Sequence, residues 1–328
     1  MSTKPRILVA RAIFPDALAS LEESFEVKSN QADEVFSPDN LRKELAQVAG
    51  ALVFGSERID QNALADAKNL KMVANISVGY NNFDVPAMTA AGVMATNTPD
   101  VLTDSTADFG FALMMAAARR ITESEHWIRN GQWDKMSIVY NPLGMDLHRT
   151  TLGIIGMGRI GQGIAKRGLG FGMNVIYHNR KRLSESDEKA CGARYVDKET
   201  LLREADHVVL VVPYSAESHH LIGAKEIALM KSTATLVNIA RGGIVDDAAL
   251  AEALKAKKIF AAGLDVYEGE PKVHPELLKL SNVVLAPHIA SATEKTRRAM
   301  INLAVRNLRA ALAGEKPPSL INTELWKK

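Results

Sequence analysis

The stretch that decides the fold is LGIIGMGRIG, residues 152–161. An apolar run, Leu152–Ile155, leads directly into glycines 156, 158 and 161, and the residues that follow carry apolar side chains at helical spacing. In such a strand–turn–helix unit the first glycine permits the tight turn, the second lets the backbone approach a pyrophosphate, and the third packs helix against strand. The first N–H groups of the helix then point at the anion. The motif predicts a dinucleotide site formed by Gly156, Met157, Gly158, Arg159, Ile160 and Gly161.

On both sides of this motif, short β-branched runs alternate with amphipathic segments, which is typical of βαβ units and parallel sheets. The predicted fold class is α/β, with two doubly wound parallel-sheet lobes. An apolar helix over residues 104–119 lies between the two groups of strands, and a helix over Thr293–Leu312 is expected to return to the first lobe. The predicted strands are Arg6–Ala10, Ala51–Phe54, Met72–Ile76, Val93–Thr96, Leu152–Ile155, Asn174–Tyr177, Val208–Val212, Thr235–Ile239, Ala261–Asp265 and Val283–Ala286.

The composition narrows the class of partner. Of 328 residues, 40 are Lys or Arg and 38 are Asp or Glu, so the net charge of +2 is too small for the basic field that a nucleic acid or an anionic membrane requires. The longest apolar stretch, residues 109–118, is much shorter than the roughly 20 residues that span a bilayer. The single cysteine, Cys191, excludes a disulfide framework and fits a reducing compartment. We therefore expect a cytoplasmic protein with a small-molecule partner.

The residue that contacts the ribose of the cofactor is expected about 20 residues after the glycines, at the end of the second strand of the unit. There the sequence is Tyr177-His178-Asn179-Arg180-Lys181-Arg182, with no carboxylate and three cations. A carboxylate would repel a 2′-phosphate, whereas Arg offers it a bidentate partner. Asn179 and Arg180, with Arg182 as a second cation, therefore predict NADP as the preferred cofactor. The alternative is a solvated basic loop, which would leave NAD as the cofactor.

Three polar residues follow predicted strands, at the sheet edge where open α/β folds bind their ligands. Arg241 follows the strand that ends at Ile239, Glu270 comes shortly after the strand that ends at Asp265, and His288 follows Ala286-Pro287. Arg can pair with a substrate carboxylate and polarise its carbonyl, and His can donate a proton near neutral pH while a carboxylate fixes its tautomer. Beside a nicotinamide, this set is what reduction of a 2-oxo acid needs. Taken singly, Arg241 could anchor a phosphate, Glu270 could be a surface charge, and His288 could cap the last helix.

The remaining candidate residues concern metal binding, cysteine reactivity and oligomeric state. The adjacent pair His219-His220 cannot place both imidazoles on one helix face, and no His-Glu-x-x-His run exists, so we expect no metal site. Cys191 is expected to be inert, in a loop flanked by glycine. The segment Asp104–Thr150 carries an apolar helix together with Trp127 and Trp133. That is more apolar surface than one lobe can cover, so it predicts a homodimer.

These residues also carry a family resemblance, which covers nearly the whole chain and is weakest over the first fifty residues. The chain resembles the D-isomer-specific 2-hydroxyacid dehydrogenases and is most similar to their glyoxylate/hydroxypyruvate reductase and 2-ketogluconate reductase branch. The motifs that carry the resemblance are Ile76–Asp84, Leu152–Gly161, Asn238–Asp247, Gly263–Tyr267 with Glu270-Pro271, and Pro287-His288-Ile289 with Ser291-Ala292-Thr293.

The resemblance implies a domain arrangement and a reaction. A Rossmann dinucleotide-binding domain, residues 100–290, is inserted in a smaller flavodoxin-like substrate domain, residues 1–99 and 291–328. The implied reaction is NADPH-dependent reduction of glyoxylate, hydroxypyruvate or 2-ketogluconate to a D-2-hydroxy acid. A 3-phosphoglycerate dehydrogenase-like enzyme and a nucleotide-sensing, corepressor-like binding protein are the alternatives.

The resemblance also implies residue roles. Arg241 binds the substrate carboxylate and carbonyl, His288 donates the proton, and Glu270 pairs with His288. The backbone amides of Val78 and Gly79 cradle the carboxylate. Two departures from the family pattern, Ala290 in place of Gly and Leu143 in place of a pocket-shaping Trp, bear on substrate preference. The positions that line the cofactor are Thr106, Pro213 and Asp265.

Overall fold

The computed structural model describes residues 4–139 and 142–326 and divides into two compact units. The terminal unit is Met1–Leu102 with Ala292–Lys328, and the inserted unit is Thr103–Ser291. The sequence placed these boundaries after residues 99 and 290, whereas the first helix of the inserted unit begins at Thr103. Tyr140 and Asn141, within the segment that predicts a homodimer, lie outside the described residues.

Each unit is built on one parallel sheet. The terminal unit has the strand order β2-β1-β3-β4-β5, which is the flavodoxin-like doubly wound order. The inserted unit has the order β12-β11-β10-β9-β6-β7-β8, a Rossmann-type sheet with β6 at the point where the order reverses. The prediction of an α/β fold with two doubly wound sheets is confirmed. The strands are β1 (Arg6–Val9), β2 (Glu26–Ser29), β3 (Gly50–Val53), β4 (Met72–Asn75), β5 (Met94–Thr96), β6 (Thr151–Ile155), β7 (Asn174–His178), β8 (Ala193–Tyr195), β9 (His207–Leu210), β10 (Thr235–Asn238), β11 (Ala261–Leu264) and β12 (Val283–Leu285).

Most helices start at a side chain that caps the first turn. Seven of them have a Ser, Asp or Thr cap whose oxygen accepts a backbone N–H from the first turn: Ser37, Asp60, Asp84, Ser184, Asp197, Asp246 and Thr293. The helices are α1 (Pro15–Glu22), α2 (Pro38–Leu45), α3 (Gln61–Leu64), α4 (Val85–Ala90), α5 (Thr103–Ala118), α6 (Ile121–Arg129), α7 (Arg159–Gly170), α8 (Glu185–Cys191), α9 (Lys198–Glu204), α10 (Ala224–Ile227), α11 (Asp247–Lys255) and α12 (Glu294–Leu312).

The central strands are buried on both faces, because helices cover the two sides of each sheet. In the inserted unit, α5 and α7 pack against each other on one face, and α9 and α11 contribute to the core on the other. In the terminal unit, α12 packs against β3 and β4, so the helix after the last strand returns to the first sheet. This packing fixes the strand ends from which the candidate site residues project.

The sequence did not predict strands β2 and β8. β2 and β8 are short edge strands with mostly exposed or partly exposed residues, so they lack the apolar run that identifies the central strands. The inserted sheet therefore has seven strands rather than the six predicted. α6, which contains Trp127, was not predicted either, and none of its residues is buried.

Cys191 is the last residue of α8 and is buried, so its placement in a loop was wrong, and burial raises the pKa of its thiol. Among the described residues, no helix has the length and hydropathy needed to cross a bilayer.

Candidate active site

The glycine loop, residues 156–161, connects β6 to α7. Gly156 has a φ of +104°, and a methyl group added there would lie 2.6 Å from the carbonyl of Val211. A methyl group on Gly161 would lie 2.3 Å from the carbonyl oxygen of Gly156. At Gly158 an added methyl would meet no atom within 4 Å, and Gly158 caps α7 without any side-chain hydrogen bond. The loop therefore has no space for a side chain at Gly156 and Gly161, where the helix packs against the strand. It has free space at Gly158, beside the first N–H groups of α7.

That geometry fits a dinucleotide. The space beside Gly158 is free for a pyrophosphate. The N–H groups at the start of α7, which no side chain caps, provide the partial positive charge that attracts this anion. Asn179 stabilises the loop from the end of β7, because its Oδ1 accepts the backbone N–H of Met157 at 2.7 Å. Arg180, the next residue, is exposed.

The structure assigns Arg182 a different role from the one that the sequence suggested. Arg182 forms two hydrogen bonds with Glu188, each 2.8 Å long, and Tyr177 donates to the same carboxylate at 2.7 Å. Arg182 and Tyr177 together lower the pKa of Glu188 to about 2, and burial with this hydrogen bond raises the pKa of Tyr177 to about 12. Arg182 is thus bound within the unit, and the expectation that it serves as a second phosphate clamp is not supported.

Arg180 also has an acidic neighbour. A hydrogen bond from Ser215 lowers the pKa of Glu217, and the positive charge of Arg180 lowers it further. Arg180 and Lys181 are both exposed, and Arg180 is the cation directly beside Asn179; Glu217 partly offsets its charge.

The three predicted chemical residues follow three neighbouring strands. Arg241 lies after β10, Glu270 after β11 and His288 after β12. Nδ1 of His288 lies 2.8 Å from Oε2 of Glu270, and the other oxygen of Glu270 accepts the backbone N–H of Tyr267 at 2.9 Å. The pairing that the resemblance implies is therefore formed in this structure. Because Nδ1 is held by the carboxylate, Nε2 is the nitrogen that can face a ligand.

The charges of this group influence one another. Burial raises the pKa of Glu270, but the hydrogen bond and charge of His288, with the more distant charge of Arg241, outweigh it, so the pKa lies below its ordinary value. Burial lowers the pKa of Arg241, and the negative charge of Glu270 opposes that shift. Arg241 stays a cation at neutral pH because its ordinary pKa is far above 7. A partly buried cation, a carboxylate and an imidazole thus share one sheet edge.

The turn that carries Arg241 is fixed by its neighbours. The side chain of Asn238 donates to the carbonyl of Arg241 at 3.0 Å and accepts the N–H of Ala240 at 3.0 Å. Gly242 follows, and a methyl group there would lie 1.7 Å from the carbonyl oxygen of Tyr267. Only glycine fits, because the backbone of the loop that leads to Glu270 passes directly over it.

The turn that carries His288 is held by Asp265. The two carboxylate oxygens of Asp265 accept the N–H groups of Ile289 at 2.7 Å and Ala290 at 2.9 Å. The backbone carbonyl of Asp265 accepts the N–H of His288 at 2.9 Å. This network stabilises the left-handed backbone of His288, whose φ is 55°. Burial raises the pKa of Asp265, and the two donated N–H groups oppose that shift.

The sequence identified Asp265 only as a residue that lines the cofactor. In the structure it is fully buried behind the His288 turn, so its observed contacts are with the protein backbone. The available signal was an acid placed directly after a wholly apolar strand. A buried carboxylate in such a position needs donors, and a nearby turn is the usual source.

The remaining predicted residues are distributed over both units. Thr106 is buried in the first turn of α5, and Pro213 is exposed after β9. In the terminal unit, the carbonyl of Val78 accepts from Asn97 at 2.8 Å, and that of Gly79 accepts from Asn75 at 2.9 Å. Their roles in binding stay predictions.

The two departures from the family pattern have different surroundings. Ala290 is buried and its φ is not in the left-handed region, so the backbone accepts a methyl group where the family usually has Gly. Leu143 is 60% exposed. Both are compatible with the fold.

Comparison with known proteins identifies the family. The model of the D-isomer specific 2-hydroxyacid dehydrogenase NAD-binding domain matches residues 111–290. The chain belongs to the D-isomer specific 2-hydroxyacid dehydrogenase family. It is therefore an NAD(P)-dependent oxidoreductase, and the glycine loop lies within the matched region.

Full-length relatives support the same assignment. A glyoxylate reductase of Thermococcus kodakarensis is 46% identical over 327 residues, which cover 99% of this chain and 98% of the relative. The crystal structure of a putative D-isomer specific 2-hydroxyacid dehydrogenase from Polaromonas has a TM-score of 0.90 at 36% identity and covers 97% of this chain and 100% of its own. An NADPH-dependent glyoxylate/hydroxypyruvate reductase from Sinorhizobium meliloti, solved with NADP and malonate, has a TM-score of 0.87 at 34% identity, with coverages of 98% and 97%.

Proposed function

We propose that this dehydrogenase uses NADPH to reduce glyoxylate and related small 2-oxo acids, including hydroxypyruvate and 2-ketogluconate, to D-2-hydroxy acids. The observation that carries the proposal is the 2.8 Å pair of His288 and Glu270 on the same sheet edge as the partly buried Arg241. Names of similar proteins, glyoxylate reductase among them, support the choice of substrate.

Each of the three residues has a distinct task. The guanidinium of Arg241 binds the substrate carboxylate and polarises the adjacent carbonyl, because it is a permanent, planar donor. His288, protonated on both nitrogens, gives its Nε2 proton to the carbonyl oxygen as that oxygen becomes negative. Glu270 holds Nδ1–H throughout, so the imidazole keeps its orientation after the proton has left. When bound, the nicotinamide supplies the hydride to the carbonyl carbon.

In the terminal unit, the loop at Val78 and Gly79 is the proposed site for the substrate carboxylate. The amide side chains of Asn97 and Asn75 hold the two carbonyl oxygens of this loop. These hydrogen bonds stabilise the loop, and its backbone N–H groups are the donors that the proposed role requires.

The proposed NADPH preference rests on the end of β7. Asn179 and Arg180 stand where an NAD enzyme commonly has an acid, so a 2′-phosphate meets a cation and no carboxylate at those positions. We assign the pyrophosphate to the glycine loop, and Thr106, Pro213 and Asp265 to the neighbourhood of the rest of the cofactor.

The experiment is a substrate panel with both coenzymes. Glyoxylate, hydroxypyruvate, 2-ketogluconate and 3-phosphohydroxypyruvate are each assayed with NADPH and with NADH. We expect turnover of glyoxylate and hydroxypyruvate, fastest with NADPH. A clear preference for the phosphorylated acid would favour the 3-phosphoglycerate dehydrogenase alternative. Tight coenzyme binding without turnover of any 2-oxo acid would contradict the proposal and favour a nucleotide-sensing protein.

We also propose that the enzyme is a homodimer. Large apolar side chains are exposed on α6 and the segment that follows it, from 49% exposure at Trp133 to 93% at Ile138. Clusters of exposed apolar side chains commonly mark an interface between proteins. The other exposed members of this apolar segment are Ile121, Ile128, Met136 and Val139.

Sedimentation tests this state. The unmodified chain should sediment at twice its own mass at micromolar concentration, and Met136→Asp with Ile138→Asp should convert it to a monomer. Val35→Asp is the matched control, because Val35 is also an exposed apolar residue but lies in the terminal unit. A monomer for the unmodified chain would contradict the dimer.

A further inference from the structure

Two adjacent histidines, His219 and His220, form a stacked pair outside the catalytic group. They follow a short 3-10 helix, Ala216–Ser218, and His220 has a left-handed φ of 50°. The N–H of His220 donates to the carbonyl of Gly243 at 2.7 Å, which holds this unusual conformation. As a result the two ring centroids are 3.9 Å apart with 23° between the planes, so both imidazoles lie on the same side of the loop.

A carboxylate from another loop completes the cluster. Oε2 of Glu268 lies 2.9 Å from Nε2 of His220, and the backbone N–H of Glu268 is held by Asp247 at 3.0 Å. One ligand nitrogen from each imidazole and one oxygen of Glu268 all lie within 4.8 Å of one another. A tetrahedral Zn²⁺ with bonds of about 2.0–2.2 Å places its ligand atoms roughly 3.4 Å apart, so binding requires the exposed side chains to rotate until their ligand atoms reach that spacing.

Each imidazole also has a polar group at Nδ1. The hydroxyl of Tyr214 lies 3.2 Å from Nδ1 of His219, and a carboxylate oxygen of Asp246 lies 3.9 Å from Nδ1 of His220. Histidines that bind metals usually have an oxygen hydrogen-bonded to the other ring nitrogen, where it fixes the tautomer and orients the ring, and Tyr214 is placed to do this for His219. The side chains of His220 and Glu268 are 37% and 46% exposed, so an ion can reach them from solvent.

We propose that His219, His220 and Glu268 form a binding site for a divalent transition metal ion, with Zn²⁺ as the best match. Two neutral imidazoles and one carboxylate are borderline ligands that suit Zn²⁺ better than Mg²⁺ or Ca²⁺, and water completes the coordination. The sequence argued against a metal here because adjacent residues do not share a helix face. In the structure the pair lies in a loop, and the left-handed backbone of His220 brings the two rings together.

The site would link two loops that serve the proposed reaction. One loop runs from Pro213 to His220 after β9, and the other contains Glu268 and, two residues later, Glu270. A bound ion joins them by coordinate bonds. The inference does not depend on the substrate or coenzyme, because it rests on ligand geometry alone.

The test is a calorimetric titration of the tag-free, full-length protein with Zn²⁺ at neutral pH. We expect one ion per chain in this site. Loss of a partner that only orients a ligand typically weakens metal binding roughly 10–100-fold, so His219→Gln and Glu268→Gln, which each remove a ligand, should weaken it at least tenfold. His126→Gln is the control, because His126 is an exposed histidine beside Glu125 on α6.

Co²⁺ provides a second readout that does not depend on heat. The wild type should show the visible absorption of tetrahedral Co²⁺, and the two ligand variants should lose it while His126→Gln keeps it. Zn²⁺ should also raise the unfolding temperature of the wild type and not that of Glu268→Gln, because ligands that bind only the folded state stabilise it. The proposal is overturned if Zn²⁺ does not bind, or if either ligand variant binds it as tightly as the wild type does.

Discussion

The glycine loop and the His288 turn both lie at the ends of parallel strands, but different interactions determine their conformations. The glycine loop is shaped by backbone, since its close contacts are with the carbonyls of Val211 and Gly156. The His288 turn, residues 287–290, is held by the buried carboxylate of Asp265 and is paired with Glu270. One region supplies a shape for an anion, and the other supplies an imidazole hydrogen-bonded to a carboxylate.

The two regions should therefore respond differently to substitution. A backbone site fails when a side chain fills space that the ligand or a neighbouring strand needs. A charged site fails when one member of its hydrogen-bond network is removed, because the partner is left buried and unsatisfied. Substitutions matched across the two regions can therefore distinguish binding from chemistry.

The largest effect is expected when a methyl group is added to Gly242, in the Arg241 turn beside the loop that leads to Glu270, and compared with one added to Gly158 in the glycine loop. Gly242→Ala places a methyl 1.7 Å from the carbonyl of Tyr267, so the loop that leads to Glu270 must move. Overpacking of this kind should destabilise the inserted unit by about 3 kcal/mol, with loss of turnover. Gly158→Ala meets no atom within 4 Å and should keep its stability while NADPH affinity falls about tenfold. Urea unfolding and coenzyme titration measure the two, and equal stability of the two variants would contradict this reading.

A second effect comes from Asp265→Asn, which keeps the size of the side chain but removes an acceptor. The N–H of Ile289 or Ala290 then faces an NH₂ group, which should cost about 1–3 kcal/mol of stability. Because the turn also loses its hold on His288, kcat should fall more than NADPH affinity does. Unfolding and steady-state kinetics measure these changes. A variant that lost NADPH binding but kept kcat would show that Asp265 serves the cofactor instead.

The third effect is a change of coenzyme preference. One hydrogen bond from Arg180 to the 2′-phosphate is worth about 1.5–3 kcal/mol, so the wild type should favour NADPH by roughly tenfold or more in kcat/KM. Asn179→Asp with Arg180→Ala should reverse that preference. Arg182→Ala, the matched control, should change it little, because Arg182 already pairs with Glu188. Equal kcat/KM for NADH and NADPH in the wild type at low ionic strength would refute the assignment.

The smallest effect concerns the Arg182–Glu188 pair at the edge of the cofactor region. The pKa of Glu188 falls from 4.5 to about 2 on folding, so its stabilising effect is full above pH 4.5 and is lost as the pH falls towards about 2. Glu188→Gln should therefore be less stable than wild type at neutral pH, and the two stability curves should converge in acid. Urea unfolding at several pH values measures this. Curves that stayed parallel down to pH 2 would contradict it.

Much of the fold and the candidate residues could be predicted because glycines and strand ends are local signals. The spacing of Gly156, Gly158 and Gly161 reports the shape of the loop directly, and Arg241 and His288 follow strands that are evident from their apolar runs. The partner of a charged side chain is not local. The bond from Arg182 to Glu188, the role of Asp265 in the His288 turn and the stacking of the two adjacent histidines all depend on loop conformations that a residue pattern does not specify.

The central claim is that coenzyme binding and proton donation belong to separate groups of residues. The most direct measurement is the single-turnover rate of glyoxylate reduction by His288→Ala with NADPH already bound, alongside the dissociation constant of NADPH for the same variant. The account predicts a rate lower by roughly 10²–10⁴-fold, because the general acid is absent, and an unchanged dissociation constant. A rate near that of the wild type, or a loss of NADPH binding equal to the loss of rate, would contradict it.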